Sequence, residues 1–431
     1  MTTLLPPLRI PRSLLDPSAT HLPGADAEGL LTVQIEQHQG LVTGLRPWSG
    51  AAGPVPLALT PLVEPHAHID KAYCAAEPGD DGVLPAPPGS MAEALVANLR
   101  EMEGRTAERV RRRSGLALER AWRHGLRAVR SHVDSLGPAA AAAWEVLSEV
   151  QAAWADRLEL QLVALVPLHH WQTPEGEALA ARVAVRQGLL GAVVGDPYPS
   201  GRADREGLRQ LLRLAERHGC GIDLHIDESD RRPGQGVAML CEVLAEQRSG
   251  VPVTCSHASS LALLPDAACR RLADRLAALE VSVVALPLTN QWLLGRRHAA
   301  TPCLRPQAPI RQLQEAGVTV AVGGDNVQDP WFPGGDHDPL ELLRFSVVAS
   351  HLLPWQRQGL APFSTAAARL LGLAWDGVLR PGCPADLLVL GAGSWPELLA
   401  RMPQRRVMRG GRWLPPPEAE APSPLLADLL R

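Results

Sequence analysis

The chain has 431 residues and a net charge of -4, with 46% hydrophobic and 20% charged residues. That is ordinary globular composition, with material for one large domain or about two to three smaller ones. It excludes several classes: there is no basic stripe for nucleic acid, no apolar run of about 18 residues to cross a membrane, and no CxxC pair among seven scattered cysteines, which therefore read as reduced thiols of a cytoplasmic protein.

The opening MTTLLPPLRIPRSLLDP is broken by prolines and lacks a basic start before a long apolar stretch, unlike a signal peptide. Residues 30–37 and 40–47 read as short strands separated by Gly and Pro. From about residue 59 the pattern changes. Short apolar runs at 59–65, 126–133, 158–167, 189–196, 221–227, 251–257, 281–287 and 317–325 alternate with Ala-, Leu-, Glu- and Arg-rich segments of helical period, such as 88–125 and 205–219. Eight strands, each buried on both faces and each followed by helix, predict a (β/α)8 TIM barrel over 59–377. A doubly wound open sheet is the competing reading, weakened because no GxGxxG follows the first strand. Strand-like runs return at 385–390 and 405–414. The two ends, 1–58 and 378–431, are thus expected to build one small β-sandwich, with a loose tail.

In such a barrel chemistry collects at the C-terminal ends of the strands. The first run ends in Pro65-His66-Ala67-His68-Ile69-Asp70. Side chains at i and i+2 share a strand face, so His66 and His68 can grip one ion together. The fifth run ends in His225-Ile226-Asp227-Glu228, the sixth in Ser256-His257 and the eighth in Gly323-Gly324-Asp325-Asn326. Histidines at three strand ends and an aspartate at a fourth point to a metal site.

The stretches EPHAHIDKAY (64–73), RSHVDS (130–135), DLHIDESD (223–230), VTCSHAS (253–259) and AVGGDNVQDPWFPGGDHDPLELL (321–343) resemble the amidohydrolase superfamily, in its cytosine deaminase branch. The s-triazine N-alkyl amidohydrolases share the HxHxDK and DNxxDxWxP patterns. The resemblance implies one divalent ion, Zn²⁺ or Fe²⁺, on His66, His68, His225 and Asp325. It implies a metal-activated water attacking the amine-bearing ring carbon of a small N-heterocycle, with Glu228 shuttling a proton to a ring nitrogen, Asp325 accepting the water proton and His257 orienting the hydroxide.

The only lysine, Lys71, lies past the first run and none ends the fourth. A lysine-carbamate bridge between two metals is therefore impossible, and one ion is expected unless Asp196 serves as a bridge. Lys71 either lines the substrate pocket or forms an ion pair with Asp70 or Asp134. Trp331 matches an aromatic beside the ring in the cytosine branch, with plain loop packing as its alternative. Asn326 replaces a second aspartate. After the third run the branch has Pro-Gln, whose amide reads the pyrimidine; here Pro167 precedes Leu168, which makes no such bonds, leaving Gln172 or His169 to substitute. His132 and Asp134 fit support of the ligands better than ligation. The expected activity is hydrolytic deamination of cytosine, isocytosine, a creatinine-like ring or an aminotriazine. Removal of an alkylamine from a triazine-like ring comes next, then cyclic-amide opening. A non-catalytic scaffold is disfavoured by the intact constellation, and a nucleic-acid deaminase by the lack of HxE…PCxxC. The partners expected are a small-molecule N-heterocycle, with neither nucleic acid nor membrane; a homo-oligomer is allowed but not required.

Overall fold

The computed structural model describes residues 2–50, 53–77, 88–195, 201–297 and 299–415. Asp196 and the tail from 416 onward lie outside them. Contacts divide the chain into two units. One is Leu62–Trp122 with Leu126–Asp376, and the other is Met1–Pro61 with Arg123–Gly125 and Gly377–Arg431.

The larger unit holds eight parallel strands: β1 (Leu62–Ala67), β2 (Leu126–Asp134), β3 (Glu159–Pro167), β4 (Leu189–Val194), β5 (Ile222–Ile226), β6 (Val253–His257), β7 (Ser282–Ala285) and β8 (Val320–Val322). They pair in chain order and form a nearly closed barrel. All eight expected runs contain a strand, although β8 keeps only three residues of the run at 317–325. The strands are rich in Val, Leu, Ile and Ala, and those of β1, β5 and β6 are buried along their whole length, as a sheet covered on both faces requires. A cluster of Val63, Ala128, Val284, Leu286 and Ala321 packs on Ala367, Ala368 and Leu371 of helix Thr365–Leu371.

Between β1 and β8 the ladder is reduced to one bridge, Ala67 to Asp325, with Asp325 N–H donating to the His66 carbonyl at 2.9 Å. Glu64 reinforces this seam. Its buried carboxyl accepts from His66 N–H and Gly324 N–H, each at 3.0 Å. A Cβ at Gly323 would sit 2.8 Å from Glu64 Oε1, so glycine is what lets the carboxyl approach.

The expected helix at 88–125 is two helices, Met91–Glu103 and Ala107–His124. Gly104 ends the first, and the Thr106 hydroxyl accepts from Arg109 N–H at 3.2 Å as the second begins. The break places Arg105 in the connection.

The smaller unit contains two antiparallel four-stranded sheets. One comes from the N-terminal strands Thr3–Leu4, Leu8–Pro11, Leu30–His38 and Leu41–Pro47. The other joins Ala58–Leu59 to Leu387–Leu390, Arg405–Arg409 and Arg412–Trp413. Val42 N–H donates to the Cys383 carbonyl at 2.9 Å, so both chain ends build this small sandwich. No helix among the described residues is long and apolar enough to cross a membrane. All seven cysteines are free thiols.

Candidate active site

Four donor atoms from β1, β5 and the end of β8 converge at the barrel mouth. His68 Nε2 lies 3.2 Å from Asp325 Oδ1 and 3.4 Å from His225 Nε2, and His66 Nε2 lies 3.5 Å from Asp325 Oδ1. Burial holds all three imidazoles well below their ordinary pKa, so they are neutral, as ligation requires. His66 Nε2 and both Asp325 oxygens are buried without a hydrogen-bond partner among the described residues. Orphaned acceptors at such density are costly unless something satisfies them. Three imidazoles and a carboxylate suit a divalent ion such as Zn²⁺ or Fe²⁺, so the residues present fit the metal that the resemblance implies.

A relay behind His66 fixes which nitrogen faces the centre. Arg130 donates to Asp223 at 2.9 Å, and Ser256 Oγ donates to Asp223 at 2.7 Å. The Ser256 hydroxyl has then spent its proton, so it accepts from His66 Nδ1–H at 2.9 Å. Nε2 is left with its lone pair free for ligation. Burial pushes the Asp223 carboxyl up to about 6 against the pull of Arg130, which leaves it mostly ionised at neutral pH. His132 stacks on His66 with ring centroids 3.9 Å apart, and with His66 and Asp223 it forms a neighbouring buried trio whose ligand-type atoms lie within 4.8 Å of one another.

Beside the donors stand Glu228 and His257, the latter with its ring centroid 5.0 Å from that of His225. His257 Nδ1 is 3.3 Å from Glu228 Oε1. Burial pushes Glu228 well above the usual carboxylate range, with Asp325 adding to the effect. It pushes His257 down to about 3. The Asp227 carboxylate accepts from Gly236 and Val237 N–H, both at 2.9 Å, and so pins the turn that carries Glu228. His257, Asp325 and Asp227 have φ of 71°, 65° and 53°, a left-handed backbone that L-residues adopt at a cost.

The amidohydrolase family pattern matches residues 87–413. The chain belongs to the amidohydrolase family. It is 33% identical over 404 residues to the pterin deaminase of Rhizobium rhizogenes, covering 90% of this chain and 89% of that protein. It is 26% identical over 342 residues to an N-isopropylammelide isopropyl amidohydrolase of Pseudomonas sp., with 77% and 79% covered. The 5-methylcytosine deaminase of Klebsiella pneumoniae, solved with 5-fluorocytosine, superposes with a TM-score of 0.78 at 26% identity over 98% of both chains. These relatives agree with the superfamily resemblance drawn from the strand-end motifs.

In this amidohydrolase His68, His225 and Asp325 open onto a cavity of about 720 Å³. Lys71, Asn326 and Trp331 are on its wall. Lys71 Nζ is 3.3 Å from Asp134 Oδ2 and 5.9 Å from the Trp331 ring centroid, so both roles considered for it are present together. The structure does not bring Leu168 or Gln172 to that wall. The chain turns at Pro167 into the 3-10 helix Leu168–Gln172, anchored by Trp171 Nε1–H donating to the Gly191 carbonyl at 3.0 Å. Leu168 packs on Gly207 and Gln172 is exposed. His169 is exposed as well, so neither it nor Gln172 stands at the wall to replace the missing glutamine amide, and Pro167 is the residue of that turn which lines the cavity.

Three polar residues at the site were not anticipated. Asn98, on helix Met91–Glu103, lines the cavity with its Nδ2 3.5 Å from Asp134 Oδ2. Arg105 sits beneath, donating to Asp70 at 2.6 Å and Asp134 at 3.0 Å. Asn290, on helix Pro287–Leu293 after β7, reaches both His257 and Glu228. The Gly104–Thr106 break was the one local signal, and it concerned Arg105 alone.

The loop after β8 is shaped by Asp329. It accepts from Asn326 Nδ2 at 2.7 Å and from Trp331 N–H at 2.8 Å. Burial pushes its carboxyl up to about 7, against ~3.9 in an unfolded chain. Between those values the native state keeps a proton that the unfolded chain has lost. Its contribution to stability is therefore full below about pH 4 and disappears as pH rises through 7. Asp329→Asn should show a smaller fall in denaturant midpoint between pH 4.5 and 8 than the parent. An equal fall would rule Asp329 out as a source of the decline.

Proposed function

We propose that this amidohydrolase is a metal-dependent deaminase that replaces the exocyclic amine of an N-heterocycle by oxygen. The observation that carries the reading is that His68, His225 and Asp325 share one cavity wall with Glu228 and His257, with His66 buried just behind them within 4.8 Å of His68 and Asp325 by its ligand atoms. The cavity falls within the ~300–1,000 Å³ of small-molecule sites and is roomier than a single six-membered ring needs. Its apolar lining by Leu165, Val194 and Leu293 suits a flat, fused bicyclic ring. Similarity to a pterin deaminase supports an aminopteridine over the cytosine first expected. We place the protein in the cytoplasm, where seven free thiols stay reduced.

When bound, the ion supplies Lewis-acid activation of a water at neutral pH. The chain's own groups manage the protons. Asp325, whose side-chain oxygens have no hydrogen-bond partner among the described residues, takes the water proton. Glu228, kept protonated by burial, gives its proton to the ring nitrogen next to the attacked carbon. A C–O bond forms, the C–N bond breaks, and the amine leaves as ammonia with a proton returned through the same carboxyls. His257 donates to the charge that develops. Trp331 and Lys71 flank the ring.

The test is ammonia release by zinc- or iron-loaded protein from 2-amino-4-oxopteridine, cytosine, creatinine and an N-alkylated aminotriazine. The pteridine should be the best substrate, with turnover abolished by a chelator and restored by the metal. Release of alkylamine from the triazine, with no ammonia from any ring amine, would replace this reading with the dealkylating one.

A further inference from the structure

Asn290 is fully buried and belongs to none of the strand-end motifs. It projects from helix Pro287–Leu293, which follows β7. Its Nδ2 lies 3.0 Å from His257 Nδ1 and 3.4 Å from Glu228 Oε1. One amide nitrogen with two N–H bonds thus spans two side chains of the proposed proton machinery.

We propose that Asn290 is a positioning residue that fixes His257 in the Nε2–H tautomer and holds Glu228 beside it. If Asn290 donates to Nδ1, that nitrogen carries no proton, and a neutral imidazole must then carry its proton on Nε2. His257 Nε2 has no partner among the described residues, and His66, His225 and His257 can bring one ring nitrogen each within 4.8 Å of one another. A protonated Nε2 cannot ligate. It can donate a hydrogen bond into the site.

His66 is the opposite case. Ser256 accepts a hydrogen bond from its Nδ1–H, which leaves a lone pair on Nε2. Two histidines of the same cluster are thereby assigned different work by their neighbours: His66 binds the ion, and His257 donates beside it.

The competing arrangement flips the Asn290 amide and puts the His257 proton on Nδ1, facing Glu228 at 3.3 Å. As the amide stands, the Oδ1 carbonyl is the atom without a partner. Flipped, the NH2 group would occupy that position and bury two unused donors. Buried unpaired N–H groups are rarer and more costly than an under-used carbonyl.

The roles of Glu228 and His257 rest on the deaminase reading, whereas the tautomer does not, so two measurements separate them. In zinc-loaded full-length protein, the ¹⁵N ring signals of His257, assigned by their loss in His257→Gln, should show a protonated Nε2 and a bare Nδ1. A protonated Nδ1 overturns the proposal, whatever the substrate. His257→Gln should also retain one ion per chain, and loss of that ion would make His257 a ligand and overturn it equally. Asn290→Leu, of similar size without the donor, should lower kcat by about 10- to 100-fold with KM within about twofold and metal content unchanged. An unchanged kcat overturns the positioning role. If Asn290→Leu does not fold, the ¹⁵N signals of the unaltered protein decide the question alone.

Discussion

Glu228→Gln should keep its metal ion and lose turnover by about 10²–10⁴-fold, the usual worth of a positioned acid–base group. Glutamine preserves shape and can still meet Asn290, but it has no proton to give a ring nitrogen. Because the parent carboxyl is held well above its ordinary value by burial and by Asp325, the acid form is the working form near neutral pH. Activity that depends on it should fall on the alkaline side as that proton is lost. The glutamine variant should lack this limb along with most of its rate. Metal analysis and kcat on the same sample make the check, and unchanged kcat with full metal occupancy would remove Glu228 from the mechanism.

Arg105→Met should lower unfolding stability by about 3–5 kcal/mol, because it strands buried carboxylates without their counter-charge. The Arg105 side chain is 2% exposed. It bonds Asp70 and Asp134 at once and pairs with Glu101 on the helix before it. Burial works against charge on Asp134, yet Lys71 and Arg105 together hold its carboxyl well below the usual range. Lys71 pairs with Asp134 and cannot also replace the two-pronged bond of a guanidinium. Denaturant midpoints of the two proteins test this, and a loss below about 1 kcal/mol would show that the carboxylates find another partner. Because Asp70 lies two residues past His68, the substitution should also loosen the turn after β1.

The strand ends were legible because a barrel writes them locally. Each run is apolar, short and closed by polar residues, and a strand carries its last side chains to one mouth regardless of the helices between. That is why His66, His68, His225, His257 and Asp325 could be named together from spacing alone. Asn98, Arg105 and Asn290 left no such trace. They sit on helices or a connection, and only three-dimensional packing brings them to the strands. Leu168 and Gln172 show the reverse. A family pattern placed Leu168 by sequence offset and Gln172 was offered as its substitute, but the 3-10 turn anchored by Trp171 swings both off the wall. Offsets carry over along a strand and fail where the chain bends.

The positive φ values at Asp227, His257 and Asp325 have an evolutionary meaning. A left-handed L-residue costs roughly 1–2 kcal/mol relative to glycine. At His257 and Asp325, selection for robustness alone would drift the position towards glycine and gain stability while discarding an imidazole and a carboxylate, whereas at Asp227 the two buried bonds from Gly236 and Val237 N–H offset the strain. Keeping those side chains is a standing trade of thermal resilience for chemistry. Consensus or stability-guided redesign would be drawn first to the residues it must leave alone.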